Sequence, residues 1–452
     1  MTILESASAW AMDRAHVLHP YTDFSTFAEE GSQIIEKASG MYVTDSDGRR
    51  ILDGIAGLWC VNIGHGREEM AEAIARQVID MDYYNPFGHS SNVPAAKLAH
   101  WLATNSPGNL SHVYYSCGGS TANDAAIRLV HYYFSMKGQH RKKKIISRVN
   151  GYHGATYVAA SLTGIHGTKI GFDRIGEDFI HHVSAADLYS RPRDMSEADY
   201  CDFLVNEFEN RILQLGPDTV AAFIAEPIMG AGGVLVAPDG YHRRIYEVCK
   251  RYGMLYIADE VVTAFGRLGE WFASEKLFGY APDILVCAKG ITSGYIPLGA
   301  TLISSEIYEV ISRPQCEGGL FSMGLTYFGH PVACAAALKN IEIMERENLL
   351  ANARSAGAHL QAAAASLINL PVVGDVRGSH LMLGIELVAD KGTRAPLPKA
   401  VEIARSCLER GVMVRPIGNK IVVSPPITID KDQCDTIVSA INDSILEFAS
   451  GR

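Results

Sequence analysis

No stretch of this 452-residue chain approaches the roughly 18 consecutive apolar residues of a membrane-spanning helix. The opening segment, Met-Thr-Ile-Leu-Glu-Ser-Ala-Ser-Ala-Trp, lacks the charged and apolar regions of a secretory signal. The nine cysteines include no Cys-x-x-Cys pair, and an odd number cannot all pair with one another. They read as free thiols in a reducing compartment, so a cytoplasmic protein is expected. Histidines show no His-x-x-x-His or His-Glu-x-x-His spacing, and His181-His182 would alternate across a strand, so no metal is expected. The phosphate loop Gly-x-x-x-x-Gly-Lys-Ser/Thr and the dinucleotide pattern Gly-x-Gly-x-x-Gly are both missing, which weakens nucleotide readings. A hydrolase loses ground too, because there is no Gly-x-Ser-x-Gly elbow. Positive charge is short: 40 Lys and Arg against 50 Asp and Glu leave a net −10. No field exists to draw nucleic acid or anionic lipid.

What is present is the balance of a compact globule, 48 % apolar and 20 % charged, long enough for a large unit and a smaller one. Residues 39–57 read as a hairpin turning at Asp45-Ser46-Asp47-Gly48. From about residue 66, helices alternate with short apolar strands. Helices are expected at 68–81 and 122–136, and strands at 113–115, 145–147, 221–225, 255–258, 284–287 and 301–304. This alternation predicts an α/β fold, a mostly parallel sheet flanked by helices. Beyond Pro331, helices at 331–347, 349–367, 398–410 and 431–449 and strands at 373–376, 382–387, 412–415 and 421–424 form an α+β tail. The expected division is a small domain from residues 1–65 and 341–452 around a large domain at 66–340.

Lys289, in Asp-Ile-Leu-Val-Cys-Ala-Lys-Gly (283–290), follows an apolar run that reads as a buried strand. A second such run, Met-Leu-Tyr-Ile-Ala-Asp-Glu-Val (254–261), carries Asp259 at its end. A lysine and a carboxylate there suit pyridoxal phosphate (PLP), which needs an amine for a Schiff base and an acid at a ring nitrogen. An ordinary ion pair at a sheet rim fits these two residues equally well. Ser116-Cys117-Gly118-Gly119-Ser120-Thr121 links a strand to a helix, where free N–H groups welcome a phosphate, or where a hydroxyl merely caps the helix. Tyr152-His153 follows another strand and could cover one face of a planar ring, with Val261 on the other, or simply fill core. Glu226, in Ala-Glu-Pro, adds a third carboxylate. In an open α/β sheet all of these fall at the carboxyl rim, where ligands gather.

Taken with His19-Pro20-Tyr21-Thr22-Asp23, Gly57-Leu58-Trp59-Cys60-Val61-Asn62-Ile63-Gly64, Thr326-Tyr327, Gly329-His330-Pro331 and Arg415-Pro416, these motifs give the chain a marked likeness. It resembles a class III aminotransferase of PLP fold type I, in the group of amine–pyruvate and ω-amino acid–pyruvate transaminases, taurine–pyruvate aminotransferases above all. The likeness runs from about His19 to the C-terminus. It implies that Lys289 forms the Schiff base and moves the proton, while Asp259 keeps the pyridine nitrogen protonated. Gly119 and Ser120 would hold the phosphate, helped by Thr326 from a second subunit, in a homodimer or dimer of dimers. Tyr152 and Val261 would sandwich the ring, with His153 and Glu226 in support. Tyr21, Trp59, Phe87, Tyr152 and Ala231 would line the donor pocket, and Arg415 would pair with the carboxylate of pyruvate. The chain departs from the family at Leu325 and Phe328, which bears on donor range. The expected reaction moves an amino group from a primary amine or ω-amino acid, such as taurine or β-alanine, to pyruvate, giving an aldehyde and L-alanine. The alternative is a PLP-dependent decarboxylase or aminomutase of the same fold.

Overall fold

The computed structural model describes residues 8–173, 175–313 and 320–451. Its centre is a seven-stranded sheet. From one edge to the other the strands run Leu110–Ser116, Gly299–Ser304, Ile284–Cys287, Leu255–Asp259, Val220–Ala225, Lys144–Arg148 and Ile180–Val183. Only Gly299–Ser304 runs antiparallel to its neighbours. The three central strands Val220–Ala225, Leu255–Asp259 and Ile284–Cys287 are buried at every position. That is why they read as unbroken apolar runs, the mark of a sheet covered on both faces.

Successive side chains of these strands feed two different cores. Ala222, Ile224, Leu255 and Ile257 pack against the helix Gly119–Met136. Phe223, Ala225, Tyr256 and Ala258 point the other way, toward the helices Glu197–Leu215 and Tyr241–Arg251. The result is three layers, helix on sheet on helix, as the strand–helix alternation predicts. The helix Gly119–Met136 starts three residues before the expected Ala122, because its first turn is the glycine-rich segment itself.

The two ends of the chain meet. The hairpin strands Tyr42–Asp45 and Arg50–Asp53 are extended by Val412–Met413, which pairs in parallel with Arg50–Asp53. A second sheet holds Val373–Ser379, Met382–Asp390, Lys420–Val423 and Arg415–Ile417. The expected single strand at 412–415 is therefore two strands in two sheets. Both segments are apolar enough to pair, and nothing in their periodicity marks the change of partner. The edge strand Ile180–Val183 lacks an apolar run to mark it, since two histidines occupy its centre. Among the described residues no helix is long and apolar enough to cross a membrane.

The C-terminal sheet docks on a loop of the large sheet. Arg377 donates to the carbonyl of Gly233 from Nη2 at 2.8 Å and pairs with Glu386 at 2.8 Å. A Cβ on Gly384 would stand 2.6 Å from that same Gly233 carbonyl oxygen. Gly384→Ala is thus expected to lower stability by about 1–3 kcal/mol through overpacking. Denaturant unfolding checks this; an unchanged midpoint would show that the two units do not depend on this contact.

Candidate active site

Parallel register brings the candidate residues to one rim. Asp259 stands opposite Val286, and Ala258 opposite Ala225, so Asp259, Glu226 and the Lys289 turn lie side by side at the carboxyl ends of three strands. They border a cavity of about 770 Å³. Twelve of the fourteen candidate residues line it: Lys289, Asp259, Gly119, Ser120, Tyr152, His153, Glu226, Val261, Tyr21, Trp59, Ala231 and Arg415. Phe87 and Thr326 do not. Phe87 is exposed, with its ring against Gly324, and the carbonyl of Thr326 accepts from the Tyr83 hydroxyl at 2.8 Å. Phe328 likewise turns from the cavity and packs edge-on against Tyr114 and Tyr115.

Asp259 is 3 % exposed, and its carboxylate is well furnished with donors. Oδ2 accepts from His153 Nδ1 at 2.7 Å and from Asn123 Nδ2 at 2.8 Å, and Oδ1 accepts from the Val261 N–H at 3.2 Å. Burying a carboxyl group without such donors would be costly. Sequence reasoning missed Asn123. The signal was available, as an asparagine in the apolar stretch of a helix is unfavourable unless its amide is used. Glu226 is nearly as buried; Oε1 accepts from the Tyr152 N–H and Oε2 from the Gly230 N–H, both at 2.9 Å. Burial raises its pKa, against the pull of His153. The Glu226 side chain thereby ties Tyr152 to the loop that carries Ala231.

Lys289 begins a single 3₁₀ turn and has φ 49°, in the left-handed region. Tyr21 and Trp59 also have positive φ, 53° and 65°, so three cavity residues sit in conformations that cost about 1–3 kcal/mol each. The Lys289 pKa is lowered by burial, which outweighs the attraction of Asp259 and Glu226. Arg415 is half-buried, its pKa also lowered by burial, and it has no carboxylate partner among the described residues. The Tyr152 hydroxyl accepts from the Tyr21 hydroxyl at 3.2 Å.

The start of the helix Gly119–Met136 contributes backbone donors to the cavity lining. Gly118 caps the helix Gly119–Met136 without any side-chain hydrogen bond, leaving first-turn N–H groups free. A Cβ at Gly118 would project into open space, whereas one at Gly119 would come within 3.0 Å of Val261. The cavity thus combines free N–H groups at a helix start, a slot beside Val261, buried carboxyl groups and a lysine with a lowered pKa. These features fit PLP.

The Aminotransferase class-III family model matches residues 26–445. The chain is a class III aminotransferase. It is 42 % identical over 433 residues to a putrescine–pyruvate aminotransferase of Pseudomonas aeruginosa, covering 95 % of this chain and 94 % of that protein. It is 38 % identical over 439 residues to a diaminobutyrate–2-oxoglutarate transaminase of Halomonas elongata, covering 94 % and 93 %. The ω-transaminase of Pseudomonas jessenii in complex with PMP superposes with a TM-score of 0.95 at 37 % identity, covering 98 % of this chain and 99 % of that one. The aminotransferase has the PLP fold type I architecture and depends on PLP.

The lowered Lys289 pKa has a measurable sign in the cofactor-free protein. A base with a depressed folded pKa leaves the unfolded chain binding more protons between the two values, so stability rises with pH across that window. Below the folded value the full cost of burying the cation applies. Lys289→Met is therefore expected to be more stable than the native aminotransferase at low and neutral pH, with the gap closing toward about pH 10.4, the ordinary lysine value. Chemical unfolding over a pH series tests this. A variant less stable at neutral pH would mean that Asp259 and Glu226 outweigh desolvation.

Proposed function

We propose that this aminotransferase moves an amino group from a primary amine or ω-amino acid to pyruvate, yielding alanine. The observation that carries this reading is Arg415, a half-buried cation in the cavity without a carboxylate partner among the described residues. Such a guanidinium suits the carboxylate of a keto acid, which it can grip with two parallel hydrogen bonds. Lys289 and Arg415 are the only Lys or Arg residues lining the cavity among the described residues. With Lys289 committed to the cofactor, one cation remains. That supports an acceptor with one carboxylate, such as pyruvate, over a dicarboxylate such as 2-oxoglutarate. The Pseudomonas aeruginosa relative, by its name, pairs putrescine with pyruvate.

PLP, when bound, supplies a carbonyl that takes up the amine and an electron-poor ring that stabilises charge on the adjoining carbon. In our reading the free N–H groups at Gly119 and Ser120 hold the phosphate, and Tyr152 and Val261 flank the ring. Asp259, held by His153 and Asn123, would accept a hydrogen bond from the ring nitrogen and keep it protonated. Lys289 carries the cofactor through its amine. Once the donor amine had replaced it on the cofactor, the Lys289 amine would take a proton from the donor's nitrogen-bearing carbon and return it one atom along. Its lowered pKa suits it to act as a base. Glu226 keeps Tyr152 in place.

Tyr21, Trp59, Ala231 and Tyr152 bound the donor side. The sulfonate of taurine or the carboxylate of β-alanine finds the same Arg415, whereas an uncharged donor requires Arg415 to turn toward solvent. Phe87 and Thr326, which lie off their own subunit's cavity, join the site from a second copy of the chain in a homodimer.

Two measurements test the reading. The purified PLP-loaded protein is mixed with taurine, β-alanine, putrescine or 1-phenylethylamine, and then with pyruvate. The visible band is expected to bleach with a donor and to return with pyruvate, with alanine formed. Return with 2-oxoglutarate and not pyruvate would overturn the acceptor assignment. Arg415→Ala is expected to raise KM for pyruvate about 10–100-fold, the loss of a charge-assisted hydrogen bond of about 1.5–3 kcal/mol. An unchanged KM would remove Arg415 from recognition.

A further inference from the structure

The backbone that presents Lys289 is strained and pinned from behind. Lys289 and Ser293 both lie in the left-handed region, at φ 49° and 50°, four residues apart in one irregular turn. Neither is glycine, so surrounding contacts must hold them there. Those contacts come from buried amides. Asn340, in the middle of the helix Pro331–Arg346 and 0 % exposed, donates from Nδ2 to the carbonyls of Gly290 at 2.9 Å and Ile291 at 3.1 Å. Its Oδ1 accepts from the Ser293 hydroxyl at 2.6 Å, and Ser293 Oγ in turn accepts from the Ile63 N–H at 3.2 Å.

The other side is closed by Asn62. Its Nδ2 donates to the carbonyl of Phe265 at 2.6 Å, and its Oδ1 accepts from Arg267 Nη2 at 2.8 Å. Any Cβ on Gly290 would collide with Asn62. Arg267 is fully buried and donates from Nη1 to the carbonyls of Pro425 and Leu381, so the C-terminal segments take part. Neither Asn62, Arg267 nor Asn340 lines the cavity. A buried asparagine within a helix is otherwise unfavourable, and this one bonds two carbonyls and a hydroxyl of the lysine turn.

We infer that Asn340 is a positioning residue: through Gly290, Ile291 and Ser293 it fixes the left-handed turn that aims the Lys289 amine at the cofactor. The inference rests on the role given to Lys289 under the proposed function. Asn340→Ala leaves the Ile291 carbonyl without a donor, removes one of the two donors to the Gly290 carbonyl and frees the turn. Ser293→Ala is the milder variant, removing only the hydroxyl bridge between Asn340 and Ile63.

The experiment measures, for both variants and for Lys289→Arg, the uptake rate of PLP by cofactor-free protein, the pH midpoint of the visible band, kcat, KM and thermal unfolding. Expected for Asn340→Ala are PLP uptake and kcat each lowered about 10-fold or more, KM within about 3-fold, and a displaced spectral midpoint, in line with the cost of small misplacement at a reacting centre. Ser293→Ala is expected to move the same readouts in the same direction, to a smaller extent, while remaining folded. Native uptake rate and spectral midpoint in the folded Ser293→Ala and Asn340→Ala proteins would overturn the inference. They would do so whatever stability was lost. Lys289→Arg separates the two readings. If it keeps the titrating band, the role of Lys289 fails and this inference with it. If it loses the band while both other variants titrate as the native protein does, only the positioning role fails.

Discussion

The site depends on the parallel register between the strands Leu255–Asp259 and Ile284–Cys287. Asp259 is the last residue of one strand and stands level with Val286 of the next, which places the Lys289 turn beside it. A one-residue slip in that pairing would turn the Asp259 side chain to the opposite face of the sheet. The register is secured by burial on both faces, since Ile257 and Ile284 feed one core and Ala258 the other. The same packing that makes the sheet stable therefore puts an amine and a carboxylate at one rim.

Around that pair, the two buried carboxyl groups and the lysine turn have partners that offset their burial. His153 and Asn123 hold Asp259, backbone N–H groups hold Glu226, and Asn340 holds the turn of Lys289. The two cations of the cavity, Lys289 and Arg415, both have depressed pKa values, and burial is the leading cause in each. A site with lowered cation pKa values has a readily available base and a guanidinium suited to an incoming anion. The chemistry follows from that electrostatic arrangement.

Much of this was legible in the chain. The strand at 284–287 and the helix at 431–449 fall where apolar patterning puts them. Those elements are uniformly buried or strongly periodic, so one principle decides them. What escaped notice depended on choices that sequence does not display. Val412–Met413 and Arg415–Ile417 are neighbours in sequence, yet they pair in different sheets. Asn62, Asn123 and Asn340 matter through contacts with residues far along the chain, 203, 136 and 50 positions away. Phe87 and Thr326, which the family resemblance assigns to the site, lie off the cavity of the chain, a displacement that no local pattern encodes.

The central claim is that Lys289 is the amine that binds PLP. Borohydride reduction of the loaded aminotransferase, followed by peptide mass spectrometry, tests it most directly. A single pyridoxyl adduct on Lys289 is expected. An adduct on another lysine, with Lys289 unmodified, would contradict the account.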